Sequence, residues 1–190
     1  FKASFDRPNL FLEIVPLRPE INKETFFIDL MKRLRGSTIV FAMYQKTTEN
    51  LAVMLTTAGI PSTFYHAGLE NEDREERQNG FLSGKYRVIV ATIAFGMGID
   101  KPDIRNIVHY NIPSSLDNYY QEIGRAGRDD EHAYCVTLFS KGDARRLQNL
   151  ITDSWPDEKS IRAILLHVAN IKGTYSFISP RSIAIACGIH

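Results

Sequence analysis

The sequence predicts an α/β fold, a parallel sheet with helices on both faces, followed by a small α-helical segment. From Thr38 onward, short β-branched runs alternate with longer amphipathic ones, the pattern left by strands that cross over through helices. Several short runs, such as Val88 to Ala91, are apolar at every position, as strands covered on both faces must be. Beyond Thr152 the alternation stops at Trp155 and Pro156, and only helical stretches follow.

Taken in order, Pro8, Pro16 and Pro19 make residues 1–22 an extended lead-in. A helix is predicted from Lys23 to Leu34, with Phe26, Phe27, Leu30, Met31 and Leu34 on the face that packs on the sheet. Gly36 and Gly59 are placed to end helices, and strands follow both. The predicted strands are Thr38 to Met43, Ser62 to Tyr65, Tyr86 to Ala91, Arg105 to Tyr110 and Ala133 to Phe139. Between them run helices near Thr47 to Ala58, Glu70 to Leu82, Ser114 to Ile123 and Asp143 to Thr152. This gives an α/β domain over residues 23–152. Residues 153–190 read as a separate piece with helices from Glu158 to Ile171 and Ser179 to Cys187. A Gly-containing turn, with Ser179 and Pro180 at the second start, fits the opening of a winged-helix unit. Ile161, Ile164, Leu165 and Val168 repeat at helical spacing, so that helix has an apolar face to bury.

The length of 190 residues suits one domain or one plus a fragment, and 44% apolar with 24% charged residues excludes a mainly disordered chain. No apolar run approaches the roughly 20 residues that span a bilayer. Phe1 to Pro8 also lack a signal-peptide pattern, so a soluble intracellular protein without a membrane partner is expected. Cys135 and Cys187 stand 52 positions apart with no nearby His or Cys cluster, which argues against both a disulfide framework and a metal site. Net charge is +1, but Glu70 to Arg77 alone holds five acids and two bases. The remainder is mildly basic and permits a polyanionic partner.

Three segments carry chemistry. Tyr119 to Asp129 reads Tyr-Tyr-Gln-Glu-Ile-Gly-Arg-Ala-Gly-Arg-Asp, in which Arg125 and Arg128 would share a face if helical. A glycine before each arginine lets backbone and guanidinium approach a ligand closely, and the planar fork suits phosphate oxygens. The alternative is a helix end with solvated arginines. Val88 to Pro102 is a buried strand opening into a glycine-rich loop. There Thr92 can offer a hydroxyl and an amide to phosphate, and Asp100 can accept from a sugar hydroxyl. Gly96 and Gly98 are otherwise simple turn residues. Phe64 to Leu69 is a strand end followed by His66 and Gly68, and a lone histidine is more often structural.

In this order and spacing, the segments resemble the second, RecA-like motor domain of superfamily 2 helicases, specifically the RecQ family. Thr38 to Tyr44 resembles motif IV, Phe64 to Leu69 motif IVa, Val88 to Pro102 motif V and Tyr119 to Asp129 motif VI. Ser4 to Asn9 resembles the linker between the two motor domains. The wording of motifs V and VI differs from that of DEAD-box RNA helicases, which favours DNA over RNA. The resemblance implies that Arg128 is an arginine finger for ATP and Arg125 its support. Gln121, Asp100 and Gly98 would be on the nucleotide side. Thr92 and the turn at His66 and Gly68 would be on single-stranded DNA, facing the same cleft as the glycine loop.

Three departures qualify the resemblance. No Walker sequence and no Asp-Glu-x-His box occur, so ATP and Mg²⁺ would be held mainly by a first RecA-like domain of the same polypeptide, and this chain alone would be inactive. Tyr44 stands where a small hydroxyl residue is common. The four-cysteine zinc module common in RecQ cores has no counterpart here. The implied function is half of an ATP-dependent 3′ to 5′ DNA helicase. The alternatives are an RNA remodeller of the same superfamily and a non-catalytic DNA-binding module.

Overall fold

The computed structural model describes residues 7–95, 100–153, 158–170 and 179–187. The chain divides into two compact units, Phe1–Arg145 and Arg146–His190.

The first unit is built on β1 (Leu10–Pro16), β2 (Ser37–Phe41), β3 (Ser62–Tyr65), β4 (Val88–Ala91), β5 (Ile104–His109) and β6 (Ala133–Phe139). These strands form one sheet in the order β1-β6-β5-β2-β4-β3, every neighbouring pair parallel. The helices are α1 (Lys23–Arg33), α2 (Gln45–Thr57), α3 (Asn71–Leu82) and α4 (Leu116–Ile123). A further helix, α5 (Lys141–Asp153), contains the division between the units.

Alternate strand residues feed two cores. Val40, Val88, Val90 and Val108 pack with Phe27 and Met31 of α1 and Leu51 and Leu55 of α2. Ile39, Ile89, Ala91 and Ile107 pack with Phe81 of α3 and Ile123 of α4. This is why the strand sequences are apolar at every position rather than alternating. The α1 helix is capped by Asn22, whose Oδ1 accepts the Thr25 N–H at 3.0 Å. Its Phe27 and Met31 are fully buried, with Phe26, Leu30 and Leu34 partly buried beside them, as the periodicity requires.

One element departs from the sequence reading. The lead-in is extended, but Leu10 to Pro16 is also a full strand that pairs with Ala133 to Phe139. The three prolines hid it. An edge strand tolerates proline because only one of its sides is bonded, and Pro16 is its last residue.

In the second unit, α6 (Glu158–Ala169) and α7 (Pro180–Cys187) pack on one another. Ser179 Oγ accepts the Ser182 N–H at 3.1 Å at the start of α7. Ile161, Ile164, Leu165 and Val168 all fall within α6, as their helical spacing predicts. Trp155, Pro156 and residues 171–178, where the Gly-containing turn is expected, lie outside the described residues.

Candidate functional site

The α4 helix opens where Ser115 Oγ accepts the Asn118 N–H at 3.1 Å, and it ends at Ile123 with Gly124 as cap. Arg125 and Arg128 therefore do not share a helical face. They lie in a turn beyond the helix, because the backbone takes other partners. The Gly127 N–H donates to Ile104 O at 3.0 Å and the Arg128 N–H to Pro102 O at 3.1 Å, both at the start of β5. Gly127 itself has φ +55°, which a helix cannot accommodate.

The rest of the turn is also held from outside. Arg7 Nη2 donates to the carbonyls of Ala126 and Gly127 at 3.0 and 2.9 Å. Asn9 Nδ2 donates to Gly127 O at 2.9 Å and Glu131 O at 3.0 Å. Arg105 Nη2 reaches both carboxylate oxygens of Asp129, at 2.5 and 2.6 Å. That contact holds the Asp129 carboxyl below its ordinary range.

The turn presents two neighbouring cations. Burial first, and then Arg128, push the half-buried Arg125 guanidinium toward easier proton loss, while Glu122 opposes this. Arginine stays charged near neutral pH, so the consequence is energetic: an anion placed between the two guanidiniums is favoured. Arg128 Nη1 lies 3.4 Å from Asp100 Oδ1, with the side chains 37 and 92% exposed. An exposed pair of that kind is weak and can yield to a phosphate. Asp100 is thus brought to Arg128. Gln121 is exposed on α4 and lines a groove of about 1010 Å³ with Arg7, Leu12 and Tyr120.

The other site residues lie elsewhere. Thr92 follows β4, His66 and Gly68 follow β3, and Tyr44 follows β2. In a parallel sheet these are the carboxyl ends, whereas Gly127 and Arg128 bond to the start of β5. At about 3.3 Å per strand residue the two groups stand roughly 15 Å or more apart, on opposite rims. The Thr92 amide, expected to face phosphate, donates instead to Tyr65 O at 3.2 Å, which leaves the hydroxyl for that role. The His66 ring is buried against Phe64, with Nε2 3.3 Å from Glu49 Oε1, so only the backbone of its turn is offered. Gly68 is exposed, and a Cβ there would come within 2.6 Å of Gln45 Oε1. Tyr44, 43% exposed, occupies the cap position of α2 without a side-chain bond. Gly98 lies outside the described residues.

Sequence reasoning missed Arg7, Asn9 and Arg105 as the holders of the arginine turn. A charged residue near the start of a largely buried strand was a signal for Arg105. Arg7 and Asn9 act across about 120 positions, and no local pattern announces that. Among the described residues, no three His, Cys, Asp or Glu side chains converge where a metal ion could sit.

Comparison with known proteins identifies the family. Residues 22–130 match the family described as helicase conserved C-terminal domain. The chain is similar to an ATP-dependent DNA helicase Q1 of Pongo abelii, with 39% identity over 90% of this chain and 27% of that protein. It is similar to the RecQ-like DNA helicase blm-1 of Caenorhabditis elegans, with 44% identity over 80% of this chain and 16% of that protein. The chain thus spans about a quarter or less of the length of these curated relatives. Its fold is shared by the Escherichia coli DEAD-box protein SrmB, solved bound to RraA. There the TM-score is 0.63 and the identity 24%, over 77% of this chain and 85% of that one. With its all-parallel RecA-like sheet and the arginine turn after α4, the chain belongs to the helicase conserved C-terminal domain family, on its RecQ-like branch.

Proposed function

We propose that this chain is the second motor half of an ATP-dependent DNA helicase that moves 3′ to 5′. One observation carries the reading: two electrostatically coupled arginines sit in a turn fixed by Arg7, Asn9 and Arg105. In hydrolysis, water attacks the γ-phosphorus and negative charge grows on the transferring and leaving oxygens. Arg128 donates to those oxygens as an arginine finger, and Arg125 supports it. Gln121 and Asp100 attend the nucleotide. Fixed donors of this kind need no reorganisation at the moment of reaction.

The phosphate cradle and Mg²⁺ ligands belong to a first RecA-like domain of the same polypeptide, so this chain has no ATPase activity alone. Single-stranded DNA runs along the opposite rim, where the Thr92 hydroxyl and the turn at His66 and Gly68 meet backbone phosphates. Closing and reopening of the two domains around ATP then moves the DNA-bound rim along the strand.

The test is Arg128→Ala in the full-length protein. Removing an arginine finger costs roughly 10³ to 10⁵ in rate in well-studied phosphoryl transfer, so kcat for ATP falls by about 10² or more while DNA affinity is kept. Unchanged kcat with lost DNA binding refutes the assignment. Stimulation of the ATPase by single-stranded DNA but not RNA separates this reading from an RNA remodeller.

A further inference from the structure

Three residues ahead of Arg125, the last turn of α4 makes a buried polar contact that the proposed chemistry does not use. Glu122, in the last turn of α4, is 5% exposed, and His109, the last residue of β5, is fully buried. His109 Nε2 lies 2.9 Å from Glu122 Oε2, and Nδ1 lies 3.1 Å from Thr137 Oγ1 on β6. The ring stacks on Phe41 at 5.7 Å and leans on Tyr119 at 5.3 Å. Both ring nitrogens therefore have polar neighbours, and the ring packs on two aromatic side chains. Nε2–H is the donor to the carboxylate whether or not the imidazole is charged, because the Thr137 hydroxyl can donate to Nδ1 or accept from it.

A carboxylate in an apolar core is costly unless it is paired. The neighbouring inward positions, Ile123 and Ala126, are apolar, so packing alone does not call for an acid here. Position 122 also adjoins the arginine turn through its backbone. Its carbonyl accepts the Arg125 N–H at 3.3 Å, the first peptide bond of the arginine turn. Its carboxylate also favours the charged form of Arg125, against burial and Arg128.

We propose that Glu122 is a positioning residue for the phosphoryl-transfer end of the motor. Its hydrogen bond to His109 ties the end of α4 to the carboxyl end of β5, as Gly127 and Arg128 tie the turn to the start of that strand. Held at both ends, the turn has one place to put Arg125 and Arg128. This inference rests on the arginine-finger reading above.

The test compares variants of the full-length protein by steady-state ATPase, single-stranded DNA affinity and thermal unfolding, with Arg128→Ala alongside. Glu122→Gln keeps an acceptor for His109 and should hold kcat within about threefold of the parent. The pair Glu122→Leu with His109→Phe removes both polar partners, so neither is left buried alone. It should unfold cooperatively yet lose about tenfold or more in kcat, with KM for ATP and DNA affinity unchanged.

A folded double variant with parental kcat overturns the inference. So does Glu122→Gln as slow as the double variant, or a double variant without cooperative unfolding, which makes Glu122 a core residue only. If Arg128→Ala keeps its kcat, the arginine-finger reading itself fails. If Arg128→Ala is slow and the double variant is not, only the positioning role falls.

Discussion

Gly127→Ala should cost far more than its small change in volume suggests. Gly127 has φ +55°, and an alanine held in the left-handed region loses about 1 kcal/mol. The new methyl would also stand 2.6 Å from Asn9 Nδ2, 2.7 Å from Glu131 O and 3.2 Å from Ala133 Cβ. Asn9 can swing away only by giving up its bonds to Gly127 and Glu131, at about 1 kcal/mol each. The Glu131 carbonyl is backbone, two residues before β6, and can yield only if that segment shifts. The sum is about 3 kcal/mol.

Gly59→Ala is the control, because Gly59 has φ +80° but nothing lies within 4 Å of its added Cβ. It should lose only the conformational part, about 1 kcal/mol. Urea denaturation of the chain measures both. At about 2 to 4 °C per kcal/mol for chains of this size, their melting temperatures should differ by roughly 4 to 8 °C. In the full-length protein, only Gly127→Ala should also lower kcat for ATP, since it displaces Arg125 and Arg128. Equal destabilisation by the two alanines would refute the crowding argument.

Three further outcomes are expected. If the Thr92 hydroxyl meets phosphate as proposed, Thr92→Val should weaken single-stranded DNA binding at every salt concentration without altering sequence preference; unchanged affinity across a salt series removes Thr92 from the site. Arg105 holds the Asp129 carboxyl below its ordinary range, so the stability from this contact is present above about pH 4 and is lost as pH falls through the lowered value. The melting temperature of Asp129→Asn should accordingly lie below the parent's near pH 7, with the gap narrowing as pH falls below about 4, and a constant gap would contradict the pairing. Burial pushes the Cys135 thiol up to about 12, whereas Cys187 is half-buried; one thiol per chain should react promptly with Ellman's reagent at pH 8, and two prompt thiols would show that Cys135 is accessible.

The sequence by itself determined the class of fold and which residue types could handle phosphate. Short β-branched runs such as Val88 to Ala91 read as strands covered on both sides, and the spacing of Phe27 and Met31 fixes the inward face of α1, because these patterns report local burial directly. The glycine-flanked arginines were legible for the same reason: a short stretch contains the whole chemical cue. The strand at Leu10 to Pro16 was not legible, since Pro16 within it and Pro8 and Pro19 around it argue against a ladder, and only its place at the sheet edge removes that objection.

Tertiary structure alone decided how the site is assembled. The helix before Arg125 ends at Ile123 because Gly127 and Arg128 bond to the start of β5, a partner about 25 positions away. Arg7 and Asn9 grip the same turn from the far end of the domain, and His66, a candidate by its motif, turns its ring into the interior. The separation of Arg128 and Thr92 onto opposite rims follows from strand direction. Chain order cannot reveal it, because a parallel sheet brings distant starts together and sends adjacent ends apart.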